Sequence, residues 1–112
     1  VLNLESVSGL ATCGLLMIRG NENNTNATIR IYMFNTSYYG STNTRHASLK
    51  ILGERQINNN YGNVYAYFSN YSSSWGTGDQ AISGTASSTT DVYFRNLQGA
   101  PCTYEYTLWR IG

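Results

Sequence analysis

The sequence predicts an all-β domain, an antiparallel β-sandwich or jelly roll of about seven to eight strands. Three observations carry that prediction. No stretch of the 112 residues keeps apolar side chains at the spacing of a helical face. Short segments rich in Tyr, Val, Ile and Thr instead alternate with period two. Between them lie clusters of Asn, Gly and Ser, residues that tolerate the positive φ of sharp connections.

Taken along the chain, Leu2–Val7 and Leu15–Arg19 have strand composition with imperfect alternation. Gly20–Asn26 (GNENNTN) reads as a turn. Thr28–Phe34 (TIRIYMF) alternates cleanly, with Ile29, Ile31 and Met33 on one face and Arg30, Tyr32 and Phe34 on the other. Asn35–His46 (NTSYYGSTNTRH) reads as a loop, long for a hairpin and rich in aromatics. A strand is expected over Ser48–Leu52 and another turn over Asn58–Asn63. Val64–Phe68 sets Val64, Ala66 and Phe68 against Tyr65 and Tyr67. Ser69–Gln80 (SNYSSSWGTGDQ) is the second long aromatic loop, followed by a short strand near Gln80–Ser83. Gly84–Thr90 (GTASSTT) reads as a plain surface loop. Asp91–Asn96 and Thr103–Ile111 complete the set, the latter with Tyr104, Tyr106 and Leu108 opposed to Trp109 and Ile111. With no segment able to supply crossover helices, a parallel α/β sheet is excluded.

At this length the chain is a single domain, residues 1–112, and it begins at Val1 without a methionine, as a processed product or a piece of a longer chain does. Apolar residues make up 41% of the chain, enough for one core with little to spare. Only 12% of residues are charged, about half the ordinary share, so the surface must be built from neutral hydroxyls and amides. A formal charge of +1, with basic residues scattered singly, argues against nucleic acid as a partner. The longest apolar run, Gly14–Ile18, is far too short for a helical membrane span, so no membrane insertion is expected.

Cys13 and Cys102 lie near opposite ends of the chain. Paired, they would close a loop spanning most of the domain, stabilising it by roughly 4 to 5 kcal/mol. Unpaired, they are two small buried hydrophobes. The sequence leaves both readings open. Neither has the neighbours of a zinc site, and no cluster of oxygen ligands marks a calcium site, so no metal and no cofactor are expected.

Catalytic material is sparse. His46 is the sole histidine, and nothing in the spacing joins it to a serine and Asp79 or Asp91. No GxSxG elbow occurs, and the six acids are isolated from one another, so no carboxylate pair for glycoside hydrolysis stands out. The chain reads as a binder and not as an enzyme. Ten tyrosines supply contact area at low entropic cost, and aromatic rings stack on sugar faces while amides and hydroxyls satisfy sugar hydroxyls. The candidate ligand-binding residues are Tyr38, Tyr39, Arg45 and His46 in the first long loop, and Tyr71, Trp75 and Asp79 in the second. Tyr65 and Tyr67 read either as part of such a surface or as packing against another subunit. Four N-x-S/T patterns, at Asn23, Asn26, Asn35 and Asn70, are about what this Asn-rich composition produces by chance.

The closing third, SGTASSTTD running into VYFRNLQGAPCTYEYTLWRIG, resembles the end of terminal β-sandwich domains of bacteriophage tail fibres and tailspikes. These close with a strand, an N-x-x-G turn and a final strand, here Val92–Arg95, Asn96–Gly99 and Thr103–Ile111. The opening VSGLATCGLLMIRG, a polar break and TIRIYMF are compatible with it. The resemblance implies a homotrimer displayed on a virion, binding a host cell-surface glycan or an outer-membrane receptor, with Tyr65 and Tyr67 facing a neighbouring subunit and both cysteines reduced during assembly. Two alternatives are a secreted lectin or carbohydrate-binding module, which would carry the Cys13–Cys102 bridge, and a structural trimerisation or capping domain.

Overall fold

The computed structural model describes residues 1–5, 11–23, 26–56, 64–68, 79–96 and 103–111. They form eight strands and one short 3₁₀ turn: β1 (Leu2–Asn3), β2 (Ala11–Asn23), β3 (Asn26–Tyr39), β4 (Thr44–Gln56), β5 (Val64–Phe68), β6 (Gln80–Gly84), the 3₁₀ turn Ser87–Thr90, β7 (Asp91–Asn96) and β8 (Thr103–Ile111). Two antiparallel sheets result, a large one in the order β6-β4-β3-β2-β8 and a small one in the order β1-β7-β5. The predicted sandwich is the observed one.

Between the sheets lies a single apolar core. Leu16 and Ile18 (β2), Tyr32 and Phe34 (β3), and Ala47 and Leu49 (β4) meet Val64, Ala66 and Phe68 (β5) and Val92 (β7), with Leu4 closing one end. Each large apolar side chain buried there contributes about 1.5–3 kcal/mol of transfer free energy. Period-two alternation delivers these residues, since every second side chain of a strand points to the same face. On β3 the buried set is Arg30, Tyr32 and Phe34, and the more apolar set of Ile29, Ile31 and Met33 faces outward.

That inversion has a cause at the edge of the small sheet. Val64, Ala66 and Phe68 turn their backbone groups away from β7, where an edge strand ordinarily meets solvent. Inward side chains of the large sheet satisfy them instead. Arg30 Nη1 donates to Val64 O at 2.8 Å, and Tyr32 Oη accepts from Ala66 N at 3.0 Å. Gln80 donates through Nε2 to Ala66 O at 2.9 Å and accepts from Phe68 N at 3.1 Å. Three buried side chains thus substitute for a missing strand. The guanidinium of Arg30 also lies 3.8 Å from the ring centroid of Tyr65. Its Nε is 3.0 Å from Glu54 Oε2 but off the line of a hydrogen bond, a charge contact more than a directed one.

Two expected connections are mostly strand. Asn35–His46 is the end of a hairpin: β3 continues to Tyr39, β4 begins at Thr44, and Gly40–Asn43 turns between them. Asn43 N donates to Gly40 O at 3.3 Å, and Asn43 takes φ 52°, a left-handed conformation Asn tolerates. Gly20–Asn26 is likewise mostly strand, divided between the ends of β2 and β3. Gly84–Thr90 is more than surface filler. It carries the 3₁₀ turn, buries Thr89 and Thr90, and Thr90 O accepts from Leu4 N at 3.1 Å. The first strand is shorter than expected, Leu2–Asn3, while β2, β3 and β4 are at least twice as long as the segments expected for them.

Cys13 lies exposed and unpaired on β2, opposite Ile111, and Cys102 is outside the described residues. The Cys13–Cys102 pairing therefore falls on a residue outside the described set.

Candidate functional site

The outer face of the large sheet is assembled by register. β3 presents Asn35, Ser37 and Tyr39, β4 presents His46, Ser48 and Lys50, and β6 presents Ala81 and Ser83. Pairing aligns Ser37 with His46 and His46 with Ser83, then Asn35 with Ser48 and Ser48 with Ala81. These rows line a shallow concavity of about 370 Å³. A second depression of about 580 Å³ adjoins it, shares Asn35, Ser48 and Ala81, and continues to Cys13, Met33, Lys50 and Asp79. The face grades from hydroxyls, an amide and an imidazole near the hairpin end to thioether and aliphatic surface further along β2 and β3.

The seven residues expected to bind ligand fall into three groups. His46, Asp79 and Tyr39 share this outer face: His46 and Asp79 line the depressions, and Tyr39, 64% exposed, stands two positions along β3 from Ser37. Tyr38 and Arg45 form a cross-strand pair on the opposite, inward face. Arg45 is buried, its guanidinium 4.1 Å from the ring centroid of Tyr38. It pairs with the carboxylate of Glu5 through Nε and donates through Nη1 to Thr85 O at 2.8 Å and Asn43 Oδ1 at 3.1 Å. Tyr38 Oη donates to the same Asn43 oxygen at 3.2 Å, and Asn43 Nδ2 donates to Thr85 O at 3.2 Å. Arg45 and Tyr38 therefore lock the hairpin end to the N-terminal segment and to the loop before the 3₁₀ turn. Tyr71 and Trp75 lie outside the described residues.

The sequence does not mark Asn35, Ser37, Ser48 or Ser83 as ligand-binding residues. Continuing the alternation of Thr28–Phe34 five residues further, through Asn35, Ser37 and Tyr39, would have found the β3 members. The aromatic-rich composition read as a loop concealed them.

Chemically, the face offers several neutral donors and acceptors on adjoining register positions, with a tyrosine ring at one end and a cation and a carboxylate, Lys50 and Asp79, at the other. Among the described residues no group of three His, Cys, Asp or Glu side chains is placed to hold a metal ion. On the small sheet, the outward Tyr67 and Tyr93 rings stack with centroids 5.8 Å apart, and Tyr65 lies against Arg30. Both expected outward tyrosines are half-buried. Compared with protein-family models, curated proteins and solved structures, the chain matches none.

Proposed function

We propose that this chain is a non-catalytic attachment module that binds a host cell-surface glycan on the outer face of its large sheet, as part of a phage tail fibre or tailspike. One observation carries the reading: Asn35, Ser37, His46, Ser48 and Ser83 converge on one shallow depression, with exposed Tyr39 on the same face. Neutral hydroxyl, amide and imidazole groups exchange hydrogen bonds with sugar hydroxyls at little desolvation cost, and a ring at the margin supplies a stacking surface. A site this shallow binds weakly by itself and gains from presentation in several copies, as an attachment organelle provides. The viral setting rests on the resemblance of the closing third.

The secreted-lectin alternative carries a Cys13–Cys102 bridge, and the free Cys13 on β2 lends it no support. It is the less supported reading.

The test is an array of bacterial surface polysaccharides probed with the purified chain, read beside its binding to intact cells. Asn35→Ala, Tyr39→Ala and His46→Ala should each weaken binding while leaving the melting temperature within a degree or two of the parent. A folded chain that binds neither polysaccharide nor cells overturns the proposal.

A further inference from the structure

The two depressions on the outer face differ in chemistry. The one nearer the hairpin end is lined by hydroxyls, the Asn35 amide and the His46 imidazole, with no acid, lysine or arginine among its lining residues. The second, reached through the shared Asn35, Ser48 and Ala81, is bounded by Met33, 47% exposed, and by the charged Lys50 and Asp79. Together they follow β3 from Ser37 to Met33, four residues or about 13 Å, which is longer than one sugar ring.

The two charges of the second depression are not equivalent. Asp79 has a contact of its own within the protein. Lys50 is exposed, stands directly across from Met33 in the β3–β4 register, and forms no ion pair with a described residue. The ion pairs among the described residues, Arg30 with Glu54 and Arg45 with Glu5, use other groups. Only 12% of the chain is charged, so the field of this ammonium meets little competition from its surroundings.

We infer that the outer face selects acidic glycans. A neutral sugar occupies the hydroxyl-lined depression, and the sugar beside it lays its apolar side on Met33 and its anionic group, a carboxylate or a phosphate, against the Lys50 ammonium. The inference rests on the glycan reading above and narrows it to one ligand class. A neutral polysaccharide makes the same hydroxyl contacts but takes water from Lys50 without returning a partner, and that difference separates the classes. Because Lys50 is exposed, the discrimination at a single site is about two- to fivefold, the range of a surface ion pair.

The test uses the purified chain on an array of bacterial polysaccharides. Each bound polysaccharide is measured again after reduction of its carboxylates and, separately, after removal of its phosphates. The bound members should be anionic, and one of the two treatments should weaken binding about two- to fivefold, which also assigns the anion. Lys50→Gln should reproduce that loss and flatten the dependence of affinity on sodium chloride, while Lys50→Arg keeps the parent's affinity. Asp79→Asn should tighten binding by removing a like charge beside the anion. Both positions are exposed, so these variants should melt as the parent does. Neutral polysaccharides bound as tightly as acidic ones, or unchanged binding in Lys50→Gln, would overturn the inference, and a loss in His46→Ala would then leave the glycan reading standing. Weaker binding in Asp79→Asn would point to a cationic sugar and overturn the inference as well. A folded chain that binds no polysaccharide overturns both.

Discussion

The hydroxyl of Tyr32, on the large sheet, accepts the backbone N–H of Ala66, on the small sheet, at 3.0 Å. Both residues are fully buried, so this bond ties the two layers together where water cannot substitute for either partner. It is one of four such bonds at the β5 edge, and together they turn an aggregation-prone strand margin into part of the core.

Tyr32→Phe retains the ring and its packing but leaves the Ala66 N–H without an acceptor. The unmade bond should cost about 1–3 kcal/mol in urea unfolding, with an unchanged m-value. A cost near zero would mean that the edge is satisfied some other way.

The same hydroxyl makes stability depend on alkaline pH. Burial, partly opposed by the Ala66 bond and the Arg30 charge, pushes the Tyr32 phenol from 10.0 up to about 12. In the unfolded chain the phenol ionises near its ordinary value, while the folded chain holds its proton longer. This contribution is intact below about pH 10 and is lost as pH rises towards about 12, to a total of about 2–3 kcal/mol. Unfolding titrations stepped across that window should show the slope in the parent and a shallower one in Tyr32→Phe.

Gln80 serves two backbone groups at once. Gln80→Leu is close in size but leaves Phe68 N and Ala66 O unpaired, and should destabilise by at least about 2 kcal/mol in thermal or urea unfolding. Amide exchange at Phe68 should accelerate more than at core amides of β3.

Two strand glycines should respond in opposite directions. A Cβ on Gly14 would overlap the backbone carbonyl oxygen of Trp109, so Gly14→Ala must push β8 away from β2 and should cost about 1–3 kcal/mol. Gly53 has open space around the same position, and Gly53→Ala should stabilise by about 0.4–1 kcal/mol by restricting the unfolded chain. Paired melting curves decide both.

Arg45→Met should separate structural from ligand-binding roles at the hairpin end. It removes the links to Glu5, Asn43 and Thr85 and should lower stability by about 2–4 kcal/mol, since it leaves part-buried partners unpaired. Glycan binding at saturating concentration, measured below the variant's melting temperature, should persist. A selective loss of binding with normal stability would place Arg45 at the ligand instead.

By itself the sequence determined the fold class, the positions of most strands and which residues share a face. Alternation over Thr28–Phe34, Val64–Phe68, Asp91–Asn96 and Thr103–Ile111 suffices for that, because side chains of a strand point to opposite sides whatever the strand packs against. Only the tertiary structure decided which face is inside. On β3 the aliphatic set, Ile29, Ile31 and Met33, lies outward, while Arg30 and Tyr32 are buried. Local hydrophobicity cannot anticipate this, since the deciding partners are backbone groups of β5, 34 residues away in the chain. The candidate site was legible in part for the same reason. His46, Asp79 and Tyr39 carried a chemical signal, but Asn35, Ser37, Ser48 and Ser83 became neighbours only when β3, β4 and β6 settled into register. Register fixes proximity between strands, and no single strand contains it.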